Sequence, residues 1–282
     1  SGKGTFAAVE AAFKANSEDP AAIAAYAGKL GDRQDDAALP LYEKLLALDP
    51  ENAQGYREDA LSALASHARQ VASREKKDST GEELQLHALM AVAKKPDSIQ
   101  QAYGRLASIR FRAAKTLKKP EEAEEKKRLT DEGLGYMKTM IGLLPRKHVA
   151  YADSLNDYAY YLLEYGKNIP EATRIAERAV KASRDPNYLD TLASAYDAAG
   201  HYDRAITLQQ EALRMQPDDE QLQTDLKNFK QHRADHPRKK AKTLVPIRLS
   251  NPTPPHSFPP HHIPLSPFPS HSSTSSFSFS QI

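Results

Sequence analysis

Small and apolar residues recur at a fixed interval between residues 155 and 217, and this interval constrains the fold more than any other feature. The first set contains Leu155, Tyr158, Ala159 and Leu162, which are followed 34 residues later by Leu189, Leu192, Ala193 and Tyr196. The second set contains Ala172 and Ala179, which are followed 33 residues later by Ala205 and Ala212. Spacings of three and four place each set on one face of a helix. Two copies of a helix–turn–helix unit are therefore predicted.

The small residues have a packing role in such a unit. Ala159 and Ala193 stand where the first helix crosses the second at close range, so a bulky side chain would push the helices apart. Gly166 and Gly200 fit the tight turn between the helices, where a left-handed backbone costs glycine little. Pro217 ends the second helix of its unit. Because one unit cannot bury its apolar stripe alone, we expect neighbouring units to stack.

The same rhythm of helices and short breaks runs through the rest of the first 233 residues. Alanine, leucine, glutamate, lysine and arginine are abundant there, and no alternating strand pattern appears, so an all-α fold is predicted. Loops this short join antiparallel neighbours. Residues 97–117 predict one continuous helix whose buried stripe is Ile99, Ala102, Tyr103, Leu106, Ile109, Ala113 and Leu117. Arg105, Arg110 and Arg112 are predicted to lie on its solvated back.

The chain is predicted to have two parts. Residues 1–233 form a helical repeat domain, with the best repeats at 153–186 and 187–219, a partial repeat at 20–50 and a capping helix at 218–233. Leu222, Leu226 and Phe229 form the apolar face of that cap. Residues 234–282 are rich in Pro, Ser and His, and their prolines forbid continuous helix or sheet. This tail is predicted to be disordered or locally polyproline II.

The run from Leu189 to Ala205, continued by Ala212 and Pro217, resembles the tetratricopeptide repeat family, in its bacterial form. It departs from the family pattern at Leu189, where tryptophan is usual, and at Gln209, where an aromatic residue is usual. The resemblance implies a right-handed superhelical solenoid of antiparallel helix hairpins. It is specific for the two best repeats and only architectural elsewhere in the chain.

The resemblance also implies a binding surface on the concave face, formed by the outward residues of each first helix. These residues are Asp153, Asn156, Tyr160, Leu163, Glu164, Asn187, Asp190, Ser194 and Asp197. The set is acidic, with Tyr160 as an aromatic anchor, so we expect an extended peptide of basic or polar character. A generic solvated face is the alternative. Some family members hold a C-terminal carboxylate with basic residues at these places, and the acids here would repel one.

Little in the sequence points to catalysis. The chain has no Cys, which excludes disulfides, Cys-ligated metals and a Cys nucleophile. Four histidines of the tail, His256, His261, His262 and His271, and the basic run 238–242 fit a biased segment and a solvated junction better than a metal or polyanion site. No catalytic signature, cofactor fingerprint or metal motif is present, and no stretch approaches the length of a membrane span. A net charge of +2 does not favour nucleic acid.

The predicted function is therefore a non-catalytic scaffold for protein–protein interaction, without a cofactor or metal. A second interpretation comes from the start of the chain, Ser1-Gly2-Lys3-Gly4, which lacks Met and suggests a processed or cut end. In that interpretation the solenoid is the C-terminal region of a larger enzyme, for example a thioredoxin-like redox protein, by resemblance to bacterial proteins of that layout. The sequence does not decide between cytoplasm and periplasm.

Overall fold

The computed structural model describes residues 5–75 and 78–236. Residues 237–282, which hold most of the predicted tail and the basic run 238–242, lie outside the described residues. Within the described ranges the chain forms helices and turns and no strand, which confirms the all-α prediction. None of the described helices has the length and hydropathy that crossing a bilayer requires.

The helices follow one another with short connections. In chain order they are α1 (Phe6–Ala15), α2 (Pro20–Gly31), α3 (Leu39–Leu48), α4 (Tyr56–Glu75), α5 (Thr80–Val92), α6 (Pro96–Ile99), α7 (Arg105–Thr116), α8 (Ala123–Leu143), α9 (Tyr151–Glu164), α10 (Ile169–Ala182), α11 (Pro186–Ala198), α12 (Tyr202–Met215) and α13 (Glu220–Asp235). Short 3₁₀ turns at Asp36–Ala38 and Pro120–Glu122 precede α3 and α8.

Neighbouring helices pair as hairpins and the hairpins stack. The pairs α4–α5, α7–α8, α9–α10 and α11–α12 make the most extensive contacts. The first helix α11 also contacts α9, and α13 packs against both α11 and α12. The first helices α9, α11 and α13 therefore lie side by side, as stacking of hairpins requires.

The recurring small residues lie in the centre of the two best repeats. Eight of the recurring positions are completely buried, namely Leu155, Ala159, Ala172, Ala179, Leu189, Ala193, Ala205 and Ala212. Leu192 is buried and Tyr196 is half-buried. Gly166 and Gly200 have φ angles of 63° and 76°, in the left-handed region that suits glycine. Pro217 is exposed in the turn between α12 and α13.

The helix predicted over 97–117 runs without a break from Pro96 to Thr116, and its predicted stripe is buried or half-buried, but a π turn at Gln100–Gly104 lies between its segments α6 and α7. The wider turn shifts the helical register, so α7 buries two faces instead of one. Ile109 packs with the residues of α4 and α5, while Phe111 packs with those of α8 and α9. Side-chain hydrogen bonds hold the π turn to α4, since the Gln101 amide donates to the Ser62 carbonyl at 2.8 Å.

The arginines of α7 also differ from the prediction of a solvated back. Arg110 pairs with Glu83 at 2.8 Å and with Glu132 at 2.7 Å, so it joins α5, α7 and α8. Arg105 pairs with the buried Glu82 at 2.8 Å. Because α7 is buried on two faces, two of the three arginines meet neighbouring helices, and only Arg112 is exposed without an ion pair among the described residues.

The last described helix, α13, lies against the second of the best repeats. Leu222 and Phe229 are buried against that repeat, and Leu226 is half-buried. Its polar residues face outward. This is the arrangement expected of a helix that covers the end of a stack.

Candidate functional site

A cavity of about 540 Å³ opens between the first helices α9, α11 and α13. Its lining residues are Tyr160, Leu163 and Glu164 of α9, Asp190, Thr191 and Ser194 of α11, and Gln221 and Asp225 of α13. Five of the nine residues proposed from the sequence therefore meet in one place. Half of the Tyr160 surface is exposed, so its ring is free to contact a ligand. We call this cavity the α9–α13 groove.

The other four proposed residues lie outside this groove. Asp153 accepts a hydrogen bond from the Tyr188 hydroxyl, and Asn187 is exposed in the first turn of α11. The side-chain oxygen of Asn156 is buried. A carboxylate oxygen of Asp197 lies 2.7 Å from the His232 Nδ1 of α13. Residues on the same helix face thus differ in whether they can contact a ligand, because some of them already bond to or are buried by neighbouring helices.

Gln209 of α12 supports the groove from behind, and sequence analysis assigned it no role. Its side chain is completely buried, and its amide donates to Asp190 at 2.6 Å and to the Leu222 carbonyl at 3.3 Å. The pKa of Asp190 is raised above its ordinary value. Burial and the nearby Asp225 raise it, and together they outweigh the hydrogen bond from Gln209, which lowers it. Asp190 is therefore held in a fixed position as a carboxylate that is poorly compensated.

A second cavity of about 460 Å³ adjoins α9 on its other side, between the π turn, α7, α8 and α9. Its walls combine the apolar Phe111, Met137 and Met140 with the carboxylates of Asp153 and Asp157. Burial in this wall raises the pKa of Asp157 to about 6, and the neighbouring Asp153 adds to the rise. More than a third of the Asp157 surface is exposed, so water screens part of this effect and its ionised form is only moderately disfavoured. No periodic signal marks Asp157, because its surroundings depend on the packing of α7 against α9.

These two cavities hold carboxylates without cationic partners. They are Asp153, Asp157, Glu164, Asp190 and Asp225. No Lys, Arg or His nitrogen of the described residues lies within 4.0 Å of any of them. Most other inter-helix carboxylates near them are paired, as Glu171 is with Lys138. Crowded and uncompensated acids make this surface a site of negative potential.

The described residues contain no group of three His, Cys, Asp or Glu side chains arranged for a metal ion. His256, His261, His262 and His271 lie outside the described residues. Burial and like charge raise the pKa values of Asp157 and Asp190.

Comparisons with known proteins relate the chain to others by shape alone. No protein-family model matches the sequence, and no curated protein is detectably similar to it. The solved structure of YrrB, described as a TPR protein with an unusual peptide-binding site, superposes with a TM-score of 0.54 at 16% identity, covering 80% of this chain and 100% of YrrB. The chain has the tetratricopeptide-repeat fold. The α9–α13 groove thus lies on the face that the first helices of its repeats form.

Two other tetratricopeptide-repeat proteins superpose less closely. TTC0263 from Thermus thermophilus has a TM-score of 0.45 at 19% identity, covering 76% of this chain and 100% of TTC0263. Yeast Tom70 has a TM-score of 0.46 at 19% identity, covering 82% of this chain and 43% of Tom70.

Proposed function

We propose that this protein is a non-catalytic interaction scaffold whose α9–α13 groove binds an extended peptide containing Lys or Arg. The observation that carries the proposal is the set of carboxylates on α9, α11 and α13 that have no cationic partner among the described residues. A bound Lys or Arg would compensate charges that the protein itself leaves unbalanced.

The groove also has the shape and chemistry for a peptide. Tyr160 and Leu163 offer apolar surface, while Ser194 and Gln221 offer hydrogen-bonding groups. Because the helices are already stacked, the protein loses little conformational freedom when a ligand binds. That a protein of the same fold, YrrB, has a peptide-binding site supports this choice of ligand.

The direct test is calorimetric titration of the chain with a basic peptide and with its charge-inverted counterpart. We expect only the basic peptide to bind, with an affinity that falls steeply between about 50 and 300 mM NaCl because salt screens exposed charges. Replacing Asp190 and Asp225 by Asn should lower the affinity at least tenfold, or about 1.4 kcal/mol. Equal binding of both peptides would refute the proposal.

The matched control removes two carboxylates elsewhere. Glu51→Gln with Asp218→Asn changes the net charge by the same amount at exposed positions outside the cavities described here. This control should keep the affinity of the wild type within about twofold. A loss as large as that of the groove variant would mean that net charge alone drives binding.

The apolar part of the groove is tested by Tyr160→Ala. Half-exposed aromatic residues at the centre of an interface typically contribute about 1–2 kcal/mol to binding. We therefore expect a five- to thirtyfold loss of affinity without a change in thermal stability. Unchanged affinity would place the peptide away from α9.

A further inference from the structure

A third cavity, of about 620 Å³, lies between α4 and α7 and has the opposite charge to the α9–α13 groove. Four arginines line it, Arg69 and Arg74 from α4 and Arg105 and Arg112 from α7. Among the described residues that line it, the only carboxylate is that of Glu82 in α5. The formal charge of the lining is thus four minus one, or +3. We call it the arginine cavity.

Most of this positive charge is uncompensated. Arg69 and Arg112 are exposed and form no ion pair with the described residues, and Arg74 donates to the Gln70 amide oxygen at 3.3 Å. Residues 1–4, 76–77 and 237–282 contain no Asp or Glu. The segments outside the described residues therefore supply no side-chain carboxylate to neutralise Arg69 and Arg112.

Arg105 differs from the other three because it is held in place. Its guanidinium bonds to Glu82 at 2.8 Å, and Glu82 is itself buried. By contrast, the charge of Arg110, further along α7, is fully compensated because its guanidinium bonds to both Glu83 and Glu132. In α7, Arg110 is therefore neutralised by two carboxylates, whereas Arg105 and Arg112 line the open arginine cavity.

We propose that the arginine cavity binds a phosphate monoester, carried by a phosphorylated Ser or Thr of a peptide. A phosphate at neutral pH carries nearly two negative charges and three acceptor oxygens, and guanidinium groups bind such oxygens in bidentate fashion. A carboxylate offers one charge and two oxygens, so it would leave more of the +3 charge uncompensated. Ser79 at the cavity wall adds a hydroxyl donor.

The choice of a peptide rests on the proposed function. Arg105 lines both the arginine cavity and the cavity that contains Asp153 and Asp157, so the two are direct neighbours. A single extended chain with a phosphorylated residue at one end and Lys or Arg at the other matches the charges of both. These two oppositely charged cavities would then select the direction in which the peptide lies as well as its composition.

The test measures the fluorescence anisotropy of three short labelled peptides without Lys or Arg, which differ only at one position that is phosphoserine, serine or aspartate. We expect the phosphoserine peptide to bind at least tenfold more tightly than the serine peptide, with aspartate in between. Inorganic phosphate at millimolar concentration should compete. Equal affinity of the phosphoserine and serine peptides would overturn the proposal, and equal affinity of phosphoserine and aspartate would show a general acidic site instead of a phosphate site.

Two variants locate the effect. Arg69→Ala with Arg112→Ala should abolish the preference for phosphoserine, while Lys181→Ala with Arg214→Ala, which removes the same charge from α10 and α12, should preserve it. The thermal midpoint of each variant shows whether it is folded. A phosphoserine preference that survives the first pair of substitutions would contradict the assignment to this cavity.

The two proposals fail separately in this design. If the arginine cavity does not bind phosphate, a purely basic peptide still binds and still responds to Asp190→Asn with Asp225→Asn. If the α9–α13 groove does not bind basic peptides, the short phosphoserine peptide without Lys or Arg still shows its preference for the arginine cavity.

Discussion

Removal of the buried carboxylate of Glu58 should destabilise the protein strongly, because this group joins α4 to the segment that leads into the π turn. The residue is 1% exposed. Its carboxylate accepts hydrogen bonds from the backbone amides of Lys94 at 3.1 Å and Lys95 at 2.8 Å, and from the Asn52 amide at 3.4 Å. Glu58→Ala therefore leaves two backbone donors without their partner.

The size of the effect follows from these bonds. A hydrogen bond to a charged acceptor contributes about 1.5–3 kcal/mol, so the two shorter bonds together contribute about 3–6 kcal/mol. Dehydration of the buried carboxylate opposes this gain, and we expect a net loss of about 3 kcal/mol in the free energy of unfolding. The adjacent Asp59 also contacts Lys95, but its side chain is 55% exposed, so Asp59→Ala should cost about 1 kcal/mol or less.

The effect also has a defined pH dependence. Burial alone would raise the pKa of Glu58, but the hydrogen bonds from Lys95, Ser98, Lys94 and Asn52 outweigh it and lower the pKa. A lowered pKa in the folded state stabilises the protein above the unfolded value of about 4.3, and this contribution is lost as pH falls through the folded value. The difference between wild type and Glu58→Ala should therefore be full at pH 7 and shrink below about pH 4.

Urea denaturation followed by circular dichroism provides the measurement, with wild type, Glu58→Ala and Asp59→Ala compared at pH 7. The slope of unfolding free energy against urea should be the same for all three, so that the midpoints report stability. If Glu58→Ala and Asp59→Ala have equal stability, the carboxylate does not hold the segment before the π turn.

Two further predictions concern the interior near the candidate site. At Gly133 an added Cβ would stand 2.6 Å from a ring carbon of Phe111, whose ring stacks on Tyr161 at 3.9 Å, so Gly133→Ala should cost about 2 kcal/mol in thermal unfolding. The control Gly135→Ala meets no atom within 4 Å and should be neutral or stabilising. Asp157→Asn removes a carboxyl whose pKa is raised to about 6. Because the folded pKa lies above the unfolded value of about 3.9, ionisation of Asp157 destabilises the protein fully above about pH 6 and no longer does so below about pH 4. The substitution should therefore raise the thermal midpoint at pH 7 by about 2 °C, and this gain should shrink below about pH 6 and vanish near about pH 4. A gain that is constant with pH would show that Asp157 does not titrate in this range.

The sequence was most informative where the fold depends on small residues. Ala159, Ala193 and Ala205 could be placed by period alone because close helix crossing leaves room for nothing larger. The left-handed turns at Gly166 and Gly200 followed from the same period. Such constraints act within one repeat, so they are visible in a single sequence.

What the sequence could not predict depends on contacts between distant elements. The π turn at Gln100–Gly104 leaves no periodic signal, and it is held by Gln101 bonding to α4. The repeat pattern marks Gln209 only as a departure from an aromatic position, yet it is buried and donates a hydrogen bond to Asp190. Asp197 was assigned to a binding face, yet it pairs with His232, which lies 35 positions later.

The most direct test of the central claim is a nuclear magnetic resonance titration of the isotopically labelled protein with the basic peptide. The account predicts that the amide signals of Tyr160, Asp190, Ser194 and Asp225 shift, whereas those of α10 and α12 on the other face do not. Shifts confined to α10 and α12, or no shifts at millimolar peptide, would show that the carboxylates of the α9–α13 groove do not bind cationic peptides.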